Sequence, residues 1–251
     1  MQITLSTDDI DLLVNHKGYG VKPADNVRTL IIGNESGIGN AINVEEFLKY
    51  LAGQDYIQKP TIKALPLRSP FIQSVSRITR ALEGKQGNWF SPKATCDVWD
   101  KIINGDSLSE SGHLIDIRPL PRPDESGWFF TNVDRKQYES GFRKFHSSDS
   151  VVQSLIVERL KALRAEVATF QNLEYIVAPG AAPMKLKFLK HLFPSIEFEA
   201  AEIRTSRKSM TYFKSKLDLN DKEVKVLVTP FFDWRIIGYE GLAEAYKILK
   251  K

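Results

Sequence analysis

Short apolar runs alternate with helical patterns along the whole chain. Most of the runs are continuously apolar, which is typical of strands covered on both faces. The predicted strands are residues 27–33, 112–117, 173–178, 196–203 and 223–229. The predicted helices are residues 44–51, 70–82, 95–103, 151–170, 184–192 and 239–249. This alternation predicts a single α/β domain over residues 1–251, a three-layer α/β/α sandwich with a central, mainly parallel sheet.

Two stretches interrupt the alternation, residues 54–69 and residues 120–134, the second with three prolines at or near its start. We expect both to be loops beside the functional site, because binding residues gather on loops held by a rigid scaffold.

Composition narrows the class of protein. The apolar runs are too short to span a bilayer, and the N-terminus lacks the basic, apolar and cleavage regions of a signal peptide. The single cysteine excludes an internal disulfide framework, and the four histidines have no metal-ligand spacing. We therefore expect a cytoplasmic monomer without a metal, a cofactor or a membrane partner.

The net charge is only +4, but positive residues concentrate in the second half of the chain, interleaved with Tyr212 and Phe213. This region is either a surface that follows phosphates or a solvated face. Its cations are Lys185, Lys187, Lys190, Arg204, Arg207, Lys208, Lys214 and Lys216.

Four predicted strands end in segments able to carry chemistry: residues 33–37 (Gly-Asn-Glu-Ser-Gly), 114–120, 177–182 and 226–234. Open α/β sheets bind ligands at the carboxyl edge, often beside a Gly-rich turn. We expect the four segments to meet there.

From about Leu30 to the C-terminus, this ordered set resembles the uracil-DNA glycosylase superfamily. Its members open with Gly-x-Asn-Pro-Gly or Gly-Glu-x-Pro-Gly after a strand, and a middle strand supplies an Asn that recognises the flipped base. A further strand is followed by Gly-x-x-Ala, and the last strand ends in His-Pro-Ser. The resemblance implies a DNA glycosylase whose partner is DNA.

Asn34 and Glu35 occupy the positions at which different branches of the superfamily place the water-activating residue. A carboxylate or an amide there positions water and stabilises an oxocarbenium-like state. We favour Glu35 because it is the stronger base, with Asn34 as the alternative. Glu35 would otherwise form a salt bridge and cap a helix, a role for which Ser36 is also suited.

The resemblance places Asp116 at the base-recognition position, when Arg118-Pro119-Leu120 is aligned on the Pro-Leu that follows the family Asn. An ionised Asp repels O4 of uracil but accepts from the amino group of cytosine, and it favours a proton on N3 of the base. Asp116 thus indicates a cytosine-type base. The alternative is that Asp116 pairs with Arg118 or caps the next turn.

Thr229, Pro230 and Phe231 stand at the His-Pro-Ser position, so the histidine that donates to O2 of the departing base is replaced by Thr229, a weaker donor. Help for the leaving group would come from Arg118, Arg235 or a charge on the base; otherwise the activity is lost.

Aromatic residues suit an extruded base. Phe231, Phe232 and Trp234 are candidate wedges, and Phe130 in the Trp128-Phe129-Phe130 run is a candidate stacking partner. Core packing is the alternative for each. The expected DNA contacts are Gly33, Ser36, Gly37, Ser69, Pro230, Phe231, Phe232, Trp234, Arg235, Arg207 and Lys208.

The resemblance and these departures predict a monofunctional DNA glycosylase that removes a modified pyrimidine and leaves an abasic site. The favoured base is a hypermodified cytosine, such as the glucosylated 5-hydroxymethylcytosine of phage DNA, which suits antiviral defence. The alternatives are a repair glycosylase for uracil or a deaminated base, and a catalytically silent nucleic-acid-binding relative.

Overall fold

The computed structural model describes residues 2–20, 26–37, 48, 70–92, 110–122, 127–206 and 208–251. At residues 19, 20, 35–37 and 234 it describes the backbone alone. The helices in this part of the chain are α1 (Thr7–Val14), α2 (Pro70–Leu82), α3 (Arg135–Lys144), α4 (Ser150–Ala168), α5 (Ala182–Leu192) and α6 (Trp234–Lys250). None of them is long and apolar enough to cross a bilayer.

The strands are β1 (Tyr19–Gly20), β2 (Thr29–Gly37), β3 (Gly112–Arg122), β4 (Tyr175–Pro179), β5 (Glu199–Arg204), β6 (Ser209–Leu219) and β7 (Lys222–Thr229). They form one sheet in the order β1-β3-β2-β4-β7-β6-β5. The four central strands, β3, β2, β4 and β7, are mutually parallel. Antiparallel strands extend both sides, β1 beside β3, and β6 and β5 beyond β7.

The helices form two groups. Helices α1, α3, α4 and α5 pack on one another and on β3, β4 and β7, whereas α2 and α6 pack together and on β2 and β7. Buried side chains of the central strands, such as Ile31, Ile115, Val177 and Leu227, lie between them. The predicted three-layer α/β/α sandwich with a mainly parallel sheet is confirmed.

All five predicted strands and four predicted helices correspond to elements of the structure, with boundaries shifted by a few residues. The helices predicted at residues 44–51 and 95–103 and the loop predicted at 54–69 lie outside the described residues, apart from single positions. Four elements were not predicted: α1, α3, β1 and β6.

The loop predicted at residues 120–134 is partly wrong, because β3 continues to Arg122 through Pro119 and Pro121. Strand β1 covers β3 only at His113 and Leu114. Beyond them the register of β3 with β2 shifts, from Glu35 opposite Arg118 to Gly37 opposite Arg122, so both prolines lie in a bulge where the ladder is interrupted.

A buried arginine joins three elements near the middle of β3. Arg159 of α4, 1% exposed, donates from Nε and Nη2 to the carbonyl oxygen of Asp116 at 3.2 and 2.6 Å. Its Nη1 donates to the carbonyls of Val14 and His16 at 2.6 and 2.7 Å. One side chain thus satisfies carbonyls at the end of α1 and in β3, as a buried charge requires.

Two buried histidines adjoin this arginine. Burial, then the positive charge of Arg159 and the neighbouring His113, lowers the pKa of His16 to about 3. Burial lowers the pKa of His113 to about 4, although its ring contacts the Lys17 carbonyl at 2.7 Å and lies 3.8 Å from Glu166. Both rings are therefore neutral in the folded protein at pH 7.

This cluster predicts a fold that weakens in mild acid. Between pH 7 and pH 5 the unfolded chain binds protons on His16 and His113 that the folded chain excludes, so the free energy of unfolding falls, by roughly 2–4 kcal/mol in total. Urea unfolding at pH 7, 6 and 5 measures this change. The variant His113→Gln should flatten the slope, and His146→Gln, at an exposed position, should not. Equal slopes in all three proteins would contradict the assignment.

Candidate active site at the carboxyl edge of the sheet

The four segments expected to meet do lie together, because they end adjacent parallel strands. Gly33 pairs in register with Asp116, and Glu35 with Arg118. Pro179 at the end of β4 pairs with Thr229 at the end of β7, and the Gly180 N–H donates to the Thr229 carbonyl at 2.8 Å. The chain therefore brings its candidate chemistry to one edge.

A crevice is expected between β2 and β4. From β2 the chain passes to β3 on one side and then to β4 on the other, so the strand order reverses at this point. The pairing of β2 with β4 ends at Ile31 and Val177, whereas its pairing with β3 runs on to Gly37. Such a switch point is where open α/β sheets bind ligands.

Asp116 lies directly against Gly33. The residue is 6% exposed, and a Cβ added to Gly33 would lie 2.0 Å from Asp116 Oδ1. Only a residue without a side chain leaves room for the carboxylate there. The glycine at position 33 is explained by this contact.

A second buried cation lies at the same place. Lys185 of α5 is 0% exposed, and its Nζ donates to the carbonyl oxygens of Ile32, at 2.6 Å, and of Gly33. Together with Arg159, which bonds the carbonyl of Asp116, it anchors both members of the Gly33–Asp116 pair through their backbones.

The two water-activating candidates differ in position. Asn34 is half-buried, and its Oδ1 is buried without a hydrogen-bond partner in the described part of the chain. Alternate residues of a strand belong to opposite faces, so Asn34 lies on the face opposite Gly33 and Asp116, and position 35 returns to theirs. The backbone thus favours position 35 as the partner of Asp116.

An aromatic pair lies on the rim of this edge. Phe231 is 40% exposed and stacks on Phe71 of α2, with ring centroids 5.2 Å apart and planes 13° apart. A Cβ on Gly180, which has φ +75°, would lie 2.9 Å from Phe231 Cδ2. Of the predicted wedges, Phe231 presents an exposed apolar ring.

The β5–β6 hairpin forms another part of the rim. Phe213 pairs with Val228, so the start of β6 at Ser209 extends past the end of β7 at Thr229. Arg204 and Lys208 near the hairpin tip are exposed.

Neither interpretation of the cation-rich second half, a surface that follows phosphates or a solvated face, holds for all of its residues. Lys185 and Tyr212 are buried, Lys214 pairs with Glu199 at 3.1 Å, and Lys216 pairs with Glu223 at 3.0 Å. The exposed cations left from that set in the described chain are Lys187, Lys190, Arg204 and Lys208.

Three other expectations need correction. Thr229 is 1% exposed and its hydroxyl donates to the Pro230 carbonyl at 2.8 Å, so it is not available to a base. Phe130 is buried, edge-on to Trp128 with centroids 5.2 Å apart, and Phe232 is fully buried. Both aromatic residues pack in the core, so neither stacks on a base nor serves as a wedge.

Arg235 is exposed but engaged. Its Nη2 lies 2.5 Å from Asp233 Oδ2, and Asp233 also caps the first turn of α6. The Arg235 guanidinium holds the pKa of the Asp233 carboxyl below its usual range. Its charge is compensated within the protein, which weakens its expected role with DNA or the leaving group.

Several candidate residues lie outside the described part of the chain. Ser69 and Arg207 do so entirely. For Glu35, Ser36 and Trp234 the backbone alone is described, and Gly37 pairs with Arg122. Among the described residues, no group of three or more His, Cys, Asp or Glu side chains could hold a metal ion.

Sequence analysis missed the two anchoring cations, although both carried a signal. Arg159 occurs at helical spacing between the buried Ile156 and Leu163, and Lys185 precedes the buried Phe188 and Leu189 by one turn. A cation in the apolar stripe of a helix indicates a buried charge with fixed partners.

Comparison with known proteins gives no match: no protein-family model, curated protein or solved structure matches the chain. The resemblance to the uracil-DNA glycosylase superfamily therefore stays a prediction from the motifs. The case for a function depends on the chemistry of the residues at this edge.

The contact between Gly33 and Asp116 predicts strong coupling between the two positions. Gly33→Ala should destabilise the protein by roughly 1–3 kcal/mol, because the new methyl group displaces the buried carboxylate. In an Asp116→Ala background most of that cost should disappear. Denaturant unfolding of the wild type, both single variants and the double variant measures the coupling. An equal cost of Gly33→Ala in both backgrounds would show that the carboxylate does not occupy this space.

Proposed function

We propose that this protein is a monofunctional DNA glycosylase that hydrolyses the N-glycosidic bond of a modified cytosine flipped out of DNA. The observation that carries the proposal is the buried Asp116 carboxyl group at the carboxyl edge, held against Gly33 beside the switch point of the sheet. A hypermodified cytosine of phage DNA is the favoured substrate, and antiviral defence is the role that suits it.

Asp116 selects the base through its acceptors. An ionised carboxylate has acceptor sites only, so in a desolvated pocket it favours an amino group over a carbonyl oxygen. The exocyclic amino group of cytosine is such a donor, and uracil presents O4 instead. The carboxylate also favours a proton on N3, which makes the departing cytosine a better leaving group.

Water activation falls to position 35, with Asn34 as the alternative. A carboxylate there accepts a proton from water as its oxygen attacks C1′ of the deoxyribose. The C1′–N1 bond breaks, its electron pair leaves with the base, and the product is an abasic site. A nearby negative charge also stabilises the oxocarbenium-like state.

The partners of Thr229 and Arg235 limit which residues can activate the departing base. Thr229 donates to its own backbone neighbour, and Arg235 pairs with Asp233. Arg118 remains in place, half-buried in β3 as the register partner of Glu35. Activation of the base therefore depends on Arg118 and on the N3 proton favoured by Asp116.

The rim supplies surfaces suited to DNA. The exposed ring of Phe231, supported by Phe71, suits the space vacated by an extruded base. Arg204 and Lys208 on the projecting hairpin suit phosphates. These features favour a DNA substrate over a free nucleoside.

The test is a panel of duplex and single-stranded oligonucleotides that contain uracil, 5-hydroxymethylcytosine or its glucosylated form, followed by alkaline strand scission. We expect the wild type to cut at a modified cytosine, and Glu35→Gln to lower the single-turnover rate by about 10²-fold. Cleavage at uracil alone would indicate the repair alternative. Binding without cleavage of any substrate would indicate the silent relative.

Asp116→Asn should shift the preference toward uracil, because the amide can donate to O4. The mismatched contact it removes is worth roughly 1–3 kcal/mol. The measurement is the ratio of single-turnover rates on modified cytosine and on uracil, for the wild type and for Asp116→Asn. An unchanged ratio would assign Asp116 a structural role only.

A further inference from the structure

Lys185 combines full burial with a position where the pairing of β2 with β4 ends. Lysine is rarely buried without fixed partners, yet this one is 0% exposed on the first turn of α5. Its Nζ donates to the carbonyl oxygens of two consecutive residues, Ile32 and Gly33. A buried ammonium bonded in this way fixes the backbone it contacts.

The bonded carbonyls follow directly on the last pairing of β2 with β4, at Ile31 and Val177. Lys185 therefore supports β2 from the point at which its pairing with β4 ends. The next residues along the chain are Asn34 and Glu35, the two water-activating candidates.

We propose that Lys185 is a positioning residue of this site. Its ammonium group holds the end of β2, and so sets where Asn34 and Glu35 stand relative to the base recognised by Asp116. The proposal rests on the proposed glycosylase function for its effect on rate, and its effect on the backbone of β2 is independent of that function.

The position of β2 affects Asp116 directly. Its carboxylate contacts Gly33, whose carbonyl is bonded by Lys185, and its own carbonyl is bonded by Arg159. A shift of β2 by a fraction of an ångström moves Gly33 against the carboxylate. Displacement of about 1 Å at a reacting centre costs about 10²-fold in rate.

The main variant is Lys185→Met, which keeps the length of the side chain and removes the donors. Lys144→Met, at an exposed position at the end of α3, is the control. Hydrogen–deuterium exchange should rise about tenfold in a peptide covering residues 32–37 of Lys185→Met, and stay unchanged at residues 176–178 of β4. The single-turnover cleavage rate should fall by about 10²-fold, with the Kd for DNA nearly unchanged.

Rescue separates positioning from a general folding defect. In a Cys96→Ala background, Lys185→Cys is alkylated with bromoethylamine while unfolded and then refolded, which restores an ammonium on a side chain of lysine length. We expect the alkylated protein to recover both slow exchange at residues 32–37 and cleavage. If Lys185→Met does not fold, Lys185→Gln takes its place, because it keeps an N–H donor and loses the charge.

Unchanged exchange at residues 32–37 would overturn the proposal. Faster exchange with a normal cleavage rate would also overturn it, because β2 would then be held for stability alone. If the wild type cleaves no substrate in the panel, the glycosylase proposal fails, and the exchange measurement alone decides whether Lys185 holds β2. A Cys96→Ala protein that is alkylated and refolded in the same way is the control. If this control is active and the alkylated Lys185→Cys protein recovers neither slow exchange at residues 32–37 nor cleavage, the role of the ammonium group is contradicted.

Discussion

The contact between Gly33 and the Asp116 carboxylate depends on two buried cations that bond the backbones of adjacent strands. Lys185 bonds the carbonyl of Gly33 from α5, and Arg159 bonds the carbonyl of Asp116 from α4. Burying an ammonium or a guanidinium group is costly unless its N–H groups are hydrogen-bonded. Each of these side chains is therefore held in the position from which it reaches its backbone carbonyls. The backbones of Gly33 and Asp116 are therefore held by α5 and α4, which suits a site that must keep its groups in place before a substrate arrives.

The proposed function depends on what Gly33 and Asp116 present at the switch point of the sheet beside β4. The carboxylate of Asp116 supplies acceptors for a base, position 35 lies on the same face two residues beyond Gly33, and the exposed ring of Phe231 lies on the rim. Thr229 does not supply the expected donor, because its hydroxyl bonds the Pro230 carbonyl. Phe130 does not stack on a base, because it packs in the core. Under the proposed function, a base that brings its own amino group and accepts a proton on N3 is the best match to the Asp116 carboxylate.

The predictable part of the fold was the part with continuous apolar runs, since β2, β4 and β7 are covered on both faces. Strand β6 was not predicted because its buried Met210 and Tyr212 alternate with exposed residues instead of forming a continuous apolar run. The turn that follows β6 did carry a hairpin signal, since Asn220 and Asp221 have positive φ. Helix α1 carried a capping box at Ser6 and Asp9 that went unused. The order of the motifs was enough to predict that four segments, one of them with Asp116, meet at the carboxyl edge of the sheet. The hydrogen-bond partners of Thr229, Arg235 and Lys185 depend on tertiary packing and could not be predicted from the local sequence.

The most direct measurement of the central claim is the fate of solvent oxygen in a single-turnover reaction on an oligonucleotide that carries one modified cytosine. With the reaction run in ¹⁸O-labelled water, mass spectrometry of both products should find the intact modified base released free and one ¹⁸O atom at C1′ of the abasic sugar. When the reaction is quenched before the open-chain aldehyde of the abasic sugar exchanges its oxygen with solvent, that result indicates attack of water at C1′ and release of the intact base. Release of the base with no label in freshly formed abasic sugar, or a base that stays attached while its modification is removed, would contradict the account.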